Sequence, residues 1–157
     1  MKLSTRARYG LRALIDLGLH SENEAVSIQS IAGRQNISES YLEQLMAKLK
    51  KAGLVESTRG AQGGYRLGKP GDQISVGDIL RVLEGSLEAV ECPGIASDGS
   101  CSGESLCVAK HVWKRINDSI TASVDSLMLS ELIEESRKKQ KEIISAGNQT
   151  ADIGVSK

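Results

Sequence analysis

The sequence predicts a mainly α-helical fold: a winged helix-turn-helix domain followed by a long C-terminal helix. Apolar residues recur at helical spacing in three segments before Gly53, and a two-residue turn separates the last two segments. Beyond Gly53 the pattern changes to two short strands around a glycine-rich tip. A long amphipathic segment then runs from about Cys107 to Ser123.

The first predicted helix spans Thr5–His20. Its apolar residues recur at helical spacing on one side, and its arginines lie on the other. The apolar set is Tyr9, Ala13, Leu14 and Leu17, and the basic set is Arg6, Arg8 and Arg12. After a polar break at residues 22–25, Ser27 is the predicted N-cap of a short helix over Ile28–Gln35, because its hydroxyl can accept a bond from a free backbone N–H.

Asn36 and Ile37 predict a tight turn, after which Ser38 caps a third helix that runs to about Ala52 and stops at Gly53. The buried stripe of this helix consists of Leu42, Leu45, Met46 and Leu49. Two short helices joined by such a turn form a helix-turn-helix, whose second helix can lie in the major groove of DNA.

A wing is predicted from two strands, Leu54–Thr58 and Tyr65–Leu67. The tip between them contains three glycines, which allow positive φ and close backbone approach. A fourth helix then begins at a capping box formed by Ser75 and Asp78.

The C-terminal half contains a loop and a long helix, and the chain offers this helix little core to pack against. The apolar stripe of the long helix is too extensive for water, so we expect it to pair with a second copy of the chain. The stripe consists of Ala109, Val112, Trp113, Ile116 and Ile120. One more short helix is predicted from Ser126 to Glu135, and the polar residues after it predict a disordered tail.

Four regions follow from these elements: a DNA-binding domain at 1–84, a cysteine-containing loop at 85–107, helices at 108–135 and a tail at 136–157. Although the formal net charge is zero, residues 1–70 carry eleven Lys or Arg and six Asp or Glu, which suits contact with phosphates. Residues 71–136 carry four Lys or Arg and twelve Asp or Glu. Neither a membrane-spanning apolar run nor a signal peptide is recognised, so we expect a soluble, cytoplasmic protein.

The three cysteines of the chain, Cys92, Cys101 and Cys107, lie within sixteen residues. Thiols gathered on one loop can bind a single metal centre. Their odd number argues against a disulfide framework, and none of the close pairs typical of a structural zinc site is present. The spacing favours a soft-metal or iron–sulfur site, with thiol redox chemistry or idle cysteines as the alternatives.

Candidate DNA contacts lie in three places. The outward side of the third helix, near its N-terminus, carries Ser40, Tyr41, Glu43, Gln44 and Lys48, and the capping residue Ser38 is a further candidate contact. Gln can pair with adenine and Glu with cytosine, although Glu43 can also be an ordinary exposed carboxylate and Tyr41 a packing residue. Arg59, beside Gly60 at the wing tip, suits a narrow minor groove unless it is merely a solvated loop residue. The residues expected to contact phosphates are Lys2, Arg6, Arg8 and Lys50.

Three stretches strongly resemble the iron–sulfur cluster regulator family called IscR, dimeric winged-helix transcription factors of bacteria. They are MKLSTRARYGLRAL at the start, NISESYLEQLMAKLKKAGLVESTRGAQGGYRLG from Asn36 and ISVGDILRVLEG from Ile74. The resemblance covers residues 1–135. It implies a DNA-reading helix from Ser38 to Ala52, a minor-groove wing around Arg59 and a crossed dimer of the long helices.

The resemblance also implies a [2Fe–2S] cluster held by cysteines that align with Cys92, Cys101 and Cys107, whose occupancy changes which DNA sites are bound. The first cysteine gap is longer here than is usual in the family. The family's fourth ligand is a histidine at the position of Lys110, so we predict that the neighbouring His111 substitutes for it unless it is an ordinary exposed residue of the helix. Cys107 and His111 would be about 40° apart around a common helix. Glu104 and Asp98 are alternative oxygen ligands.

Two sister groups share the same stretches. One senses nitric oxide through a cluster with an acidic ligand in the first helix, where this chain has Arg8. The other, CymR-like, controls cysteine metabolism and lacks the three cysteines. An enzyme is disfavoured, because neither a nucleophile–base pair nor a phosphate loop is recognised. An adaptor that uses the winged helix for protein contacts is a further alternative, and it would show no salt-dependent affinity for DNA.

We therefore predict a homodimeric bacterial transcription regulator that binds palindromic operator DNA, senses iron–sulfur status and controls cluster-assembly genes. The predicted cofactor is a [2Fe–2S] cluster, with a [4Fe–4S] cluster or no cluster as alternatives, and a cluster-donating scaffold protein is a further expected partner. The alternative functions are a repressor with a thiol redox or zinc switch and a CymR-like regulator.

Overall fold

Six α-helices and one two-stranded sheet form the part of the chain that the computed structural model describes, residues 2–96 and 98–151, with side chains described to residue 148. The helices are α1 (Thr5–His20), α2 (Ile28–Gln35), α3 (Glu39–Lys51), α4 (Val76–Glu84), α5 (Ala109–Asp125) and α6 (Leu129–Ala151). The strands are β1 (Val55–Thr58) and β2 (Gly64–Leu67). Short 3-10 turns lie at Gly71–Gln73 and Pro93–Ile95. The predicted fold class is confirmed, with α1 and α2 at their predicted bounds.

Serine N-caps begin the first four helices. The hydroxyls of Ser4, Ser27 and Ser38 each accept a hydrogen bond from a backbone N–H three residues further on. Ser75 and Asp78 form a reciprocal capping box at α4, as the sequence predicted. These local bonds satisfy backbone groups that the first turn of a helix leaves free, so the sequence itself fixes where the helices begin.

Helix α1 lies at the centre of the fold, in contact with α2, α4 and α6. Its two internal glycines permit close approach. A Cβ at Gly10 would lie 2.2 Å from Cδ1 of Leu83 in α4, and one at Gly18 would lie 2.2 Å from Cδ1 of Ile133 in α6. At the start of α1, the backbone N–H and the hydroxyl of Ser4 donate to the Glu84 carboxylate, which joins α1 to the end of α4.

The wing is an antiparallel hairpin in which Val55 pairs with Leu67 and Thr58 with Gly64. It is joined to the helix-turn-helix by a bridge that the sequence did not reveal. Val26, just before α2, donates to the Tyr65 carbonyl at 2.9 Å and accepts from its N–H at 2.8 Å. The segment between α1 and α2 is therefore joined to the wing by an antiparallel bridge of one residue pair.

Helix α6 differs from the prediction. One helix of 23 residues, Leu129–Ala151, replaces the short helix predicted over 126–135 and continues through most of the segment predicted to be a disordered tail. Leu129 and Ile133 are buried against the core, and Arg137 pairs with Glu22 beyond the end of α1. This packing anchors the first turns, from which the helix propagates at little cost per residue. Residues 152–157 of the predicted tail lie outside the described residues.

Helix α5 begins at Ala109 rather than at Cys107, and none of its residues is buried. Its C-terminal end is attached to α4: Arg81 donates to both carboxylate oxygens of Asp125, each at 2.8 Å. These bonds lower the pKa of Asp125. None of the described helices is long and apolar enough to cross a membrane.

Candidate nucleic-acid interface and candidate metal centre

One side of α3 is available for recognition. The apolar side of this helix, with Leu42, Leu45, Met46 and Leu49, is buried in the core. The opposite side exposes Ser40, Glu43, Gln44 and Lys48. The structure thus places these four candidate residues on one exposed side of the second helix of a helix-turn-helix, which is where such proteins carry base-reading side chains.

Ser38 and Tyr41 have structural roles in this arrangement. The exposed Ser38 hydroxyl accepts from the Tyr41 N–H at 3.2 Å and so caps α3. Tyr41 is half-buried and packs edge-on against Tyr9 of α1, with ring centroids 6.1 Å apart. The guanidinium carbon of Arg12 lies 5.3 Å from the Tyr9 ring centroid. Packing by Tyr41 therefore holds the N-terminal end of α3 against α1.

Two arginines that the sequence did not single out as contacts position the helix-turn-helix. Arg12 donates to the side chain and the carbonyl of Gln35 at 3.0 and 3.1 Å, beside the turn into α3. Arg34 donates to both carboxylate oxygens of Asp16, which is only 3% exposed, and these bonds raise the pKa of Arg34. The Gln35 amide also donates to Asp16, at 2.9 Å. Helix α2 is thus fastened to α1 by a buried, fully hydrogen-bonded carboxylate.

The wing tip exposes Arg59 next to Gly60, whose φ of 115° lies in the region that favours glycine. The tip is closed by a hydrogen bond of 2.9 Å from the Gly63 N–H to the Gly60 carbonyl. A Cβ at Gly63 would lie 2.4 Å from the Thr58 carbonyl oxygen, so this glycine also permits close packing. The result is a narrow tip that presents one arginine to solvent.

The basic residues expected at phosphates lie at two places. Lys2, Arg6 and Arg8 are exposed at the start of α1. Lys50, near the end of α3, donates to the Ser57 hydroxyl of β1 and so ties α3 to the wing. The structure confirms their exposure, while their contacts with DNA remain predictions.

The cysteine loop runs from α4 to α5, and its three thiols are free and half-buried. Two of the three cysteines, Cys92 and Cys101, lie near Gly94. A Cβ built there would lie 3.8 Å from Sγ of Cys92 and 3.9 Å from Cβ of Cys101. The loop turns back twice after Cys101, through bonds from Glu104 N–H to the Cys101 carbonyl at 3.1 Å and from Cys107 N–H to the Gly103 carbonyl at 3.0 Å.

The donor types in this loop fit an iron–sulfur cluster, because three thiols that can ionise lie on one short segment. The ligand shell is not assembled, however. Among the described residues, no three His, Cys, Asp or Glu side chains converge on a metal position. The three cysteines therefore remain predicted ligands.

His111 does not lie on a helix shared with Cys107, because α5 begins two residues after that cysteine. The geometric reason for choosing His111 is thus wrong. The His111 side chain is exposed and lies along α5 with Val112 and Ile116. The residue that faces the loop is Lys110, whose Nζ lies 3.7 Å from Oε1 of Glu104.

One side chain fastens the loop to α5. The side-chain oxygen Oδ1 of Asn117 accepts from the Ala89 N–H at 2.9 Å, and its side-chain nitrogen Nδ2 donates to the Val90 carbonyl at 3.2 Å. These bonds hold the segment that leads into Cys92. The sequence offers no periodic signal for this contact, because an asparagine on a helix is ordinarily exposed.

Comparisons with known proteins agree with these features. The model of the Rrf2 family, described as an iron-dependent transcriptional regulator, matches residues 3–135. The transcriptional regulator IscR of Vibrio vulnificus (strain YJ016) is 41% identical over 135 residues, 86% of this chain and 79% of its own length. IscR of Cronobacter sakazakii is 40% identical over 133 residues, 85% of this chain and 80% of its own.

Solved structures are similar over the same region. IscR of T. potens has a TM-score of 0.71 and 44% identity, with 89% of this chain and 91% of that chain covered. CymR (YrzC), the global cysteine regulator of B. subtilis, has a TM-score of 0.72 and 41% identity, with 86% and 98% covered.

The named relatives are transcriptional regulators and not enzymes, which confirms the corresponding predictions for this chain. The resemblance identified from the three sequence stretches is confirmed as well. With a family match over most of its length and a helix-turn-helix whose outward side is free, the chain belongs to the Rrf2 family of iron-dependent transcriptional regulators.

Proposed function

We propose that this chain is a cytoplasmic, homodimeric regulator that binds palindromic operator DNA and carries a [2Fe–2S] cluster on its cysteine loop. The observation that carries the DNA-binding part is the polar, exposed side of α3, backed by a fully buried apolar side. The regulated genes would include those of iron–sulfur cluster assembly, as the likeness to regulators named IscR supports.

In this proposal α3 enters the major groove and the wing follows the backbone to the adjacent minor groove. Gln44 and Glu43 would read base edges, whereas Arg59 would enter the minor groove. The basic residues at the start of α1 would contact phosphates. These contacts carry no sequence information but fix the register of the protein on the duplex.

Dimerisation would cover the exposed face of α5. Val112 and Ile116 are 53% and 38% exposed there, and they lie one helical turn apart on the same face. Pairing with α5 of a second copy would remove this apolar surface from water. Two α3 helices could then lie in successive major grooves, which explains why we expect a palindromic site.

The cysteine loop would report cluster status to the DNA-binding domain through α5. When bound, the cluster would connect the cysteine thiolates to one another. Its presence would depend on iron supply and on oxidation. The thiolates of Cys92, Cys101 and Cys107 would hold it. The loop is fastened to α5 by Asn117, and α5 is fastened to α4 by the Asp125–Arg81 pair. A coupling free energy of about 1–3 kcal/mol between loop and operator is typical of such linkage.

The DNA-binding part of the proposal is tested by selecting duplexes from a random library with the wild-type protein. Gln44→Ala should relax selection at one position in each half-site, at a cost of about 1–3 kcal/mol. Lys2→Ala, at one of the residues expected to contact phosphates, should weaken all duplexes alike and reduce the salt slope by roughly one. Lys139→Ala, on the exposed surface of α6, is the matched control and should change neither property. Failure to enrich any sequence, or affinity that does not respond to salt, would refute the proposal.

A second candidate is a CymR-like regulator in which the three cysteines of this chain, which the CymR-like group lacks, act as thiols rather than as cluster ligands. The likeness to the cysteine regulator of B. subtilis favours it, as does the absence of a converged ligand set among the described residues. Iron and sulfide analysis of anaerobically purified protein separates the two. Brown protein with both elements supports the cluster, whereas colourless protein with reduced thiols supports the alternative.

A further inference from the structure

We propose that Glu104 is the fourth protein ligand of the iron–sulfur centre. This inference rests on the proposed function, because it concerns the same cluster. The sequence led us to expect a nitrogen ligand from His111 on α5. The ligand proposed here is instead a carboxylate oxygen from the loop that precedes α5.

The first argument is position. The point at which a Cβ of Gly94 would lie is 3.8 Å from Sγ of Cys92, 3.8 Å from Cγ of Glu104 and 3.9 Å from Cβ of Cys101. The Glu104 side chain therefore lies near two of the three cysteines, and cluster binding would have to draw the donor atoms together, because they do not converge among the described residues. The bond from its N–H to the Cys101 carbonyl closes the turn that brings it there.

The second argument is charge and burial. The Glu104 side chain is only 18% exposed, which is unusual for a carboxylate. Its oxygens are held by the Gly99 N–H at 3.3 Å and by Lys110 at 3.7 Å. Both partners fix the position of the carboxylate in the loop, and a carboxylate oxygen is a suitable ligand for iron.

The third argument concerns the competing residues. The His111 side chain is exposed and lies along the apolar side of α5, whereas its neighbour Lys110 faces the loop. Successive residues of a helix point about 100° apart, so the two cannot face the loop together. Asp98 is exposed, and its carboxylate accepts from the Ser100 N–H at 3.0 Å in a local turn. Lys110 stands at the family's histidine position and acts here as the counter-ion of the proposed ligand.

The test is anaerobic reconstitution with iron and sulfide of the full-length wild type and of four single variants. Glu104→Ala should lose its cluster to an iron chelator at least roughly tenfold faster than the wild type, the scale expected for a weakened metal site. Glu104→Cys should restore retention and shift the visible absorption and the electron paramagnetic resonance of the reduced protein, because sulfur replaces oxygen. The controls His111→Ala and Asp98→Asn should match the wild type in iron content, spectrum and rate of loss.

A purely structural role of Glu104 would give different results in these experiments. If it only paired with Lys110, Glu104→Cys would behave like Glu104→Ala and its spectrum would not shift. That result would overturn the inference, as would a His111→Ala variant that loses its cluster while Glu104→Ala keeps it. If the wild type itself takes up no iron and sulfide, the cluster part of the proposed function fails and this inference fails with it.

Discussion

Asn117→Ala removes the only side chain in the described part of α5 with hydrogen bonds to the backbone of residues 89 and 90. The Ala89 N–H and the Val90 carbonyl then lose partners at 2.9 and 3.2 Å. Each such bond stabilises a protein by about 0.5–1.5 kcal/mol net. Two of them amount to about 1–3 kcal/mol, so opening of this segment away from α5 should become about 5- to 150-fold more frequent.

Hydrogen exchange followed by mass spectrometry measures this opening directly. A peptide that covers residues 86–92 should exchange faster in the variant, while peptides from α1 and α3 keep their protection. Ser119→Ala is the matched control, because the Ser119 hydroxyl bonds only to the Arg115 carbonyl of its own helix at 2.7 Å. Unchanged exchange of the 86–92 peptide in Asn117→Ala would refute the reasoning that this side chain fastens the loop.

Two further predictions concern stability. Gly18→Ala should destabilise the fold by about 1–3 kcal/mol in urea titration, because its Cβ would lie 2.2 Å from Cδ1 of Ile133. Gly33→Ala, in a helix with nothing within 4 Å, should stabilise by up to about 1 kcal/mol, and equal effects of the two would contradict the packing argument. Hydrogen bonds from Ser4 hold the pKa of Glu84 below its ordinary value of 4.5, so this carboxylate stabilises the fold above that pH and the contribution is lost as the pH falls. Glu84→Gln should therefore flatten the fall in stability below about pH 5, and an unchanged acid titration would count against this contact.

The helix-turn-helix could be predicted from the sequence because its signals are local. Ser27 and Ser38 cap helices by bonding to backbone groups three residues away, and the buried stripe of α3 follows from helical spacing. The exposed side that carries Gln44 and Lys48 follows from the same spacing. These features need no knowledge of distant residues.

Contacts between distant residues were not predictable in this way. The bridge between Val26 and Tyr65 and the pair of the buried Asp16 with Arg34 join segments that have no common periodicity. The anchoring of α6 also depends on α1, so the polar composition after Ser136 misleadingly predicted a tail. Composition reports the preference of a segment alone, whereas a helix can be extended by packing of its first turns.

The sequence by itself determined the fold class and the exposed polar side of α3, because caps, periodicity and turn residues act over a few positions, and its resemblance to known stretches identified the family. Only the tertiary structure decided which polar side chains face the cysteine loop. It placed Glu104 beside Cys92 and Cys101, turned His111 towards the exposed side of α5 and fastened the loop through Asn117. The physical reason is that an irregular loop has no repeat from which direction can be calculated, so its side chains are oriented by the surfaces on which it packs.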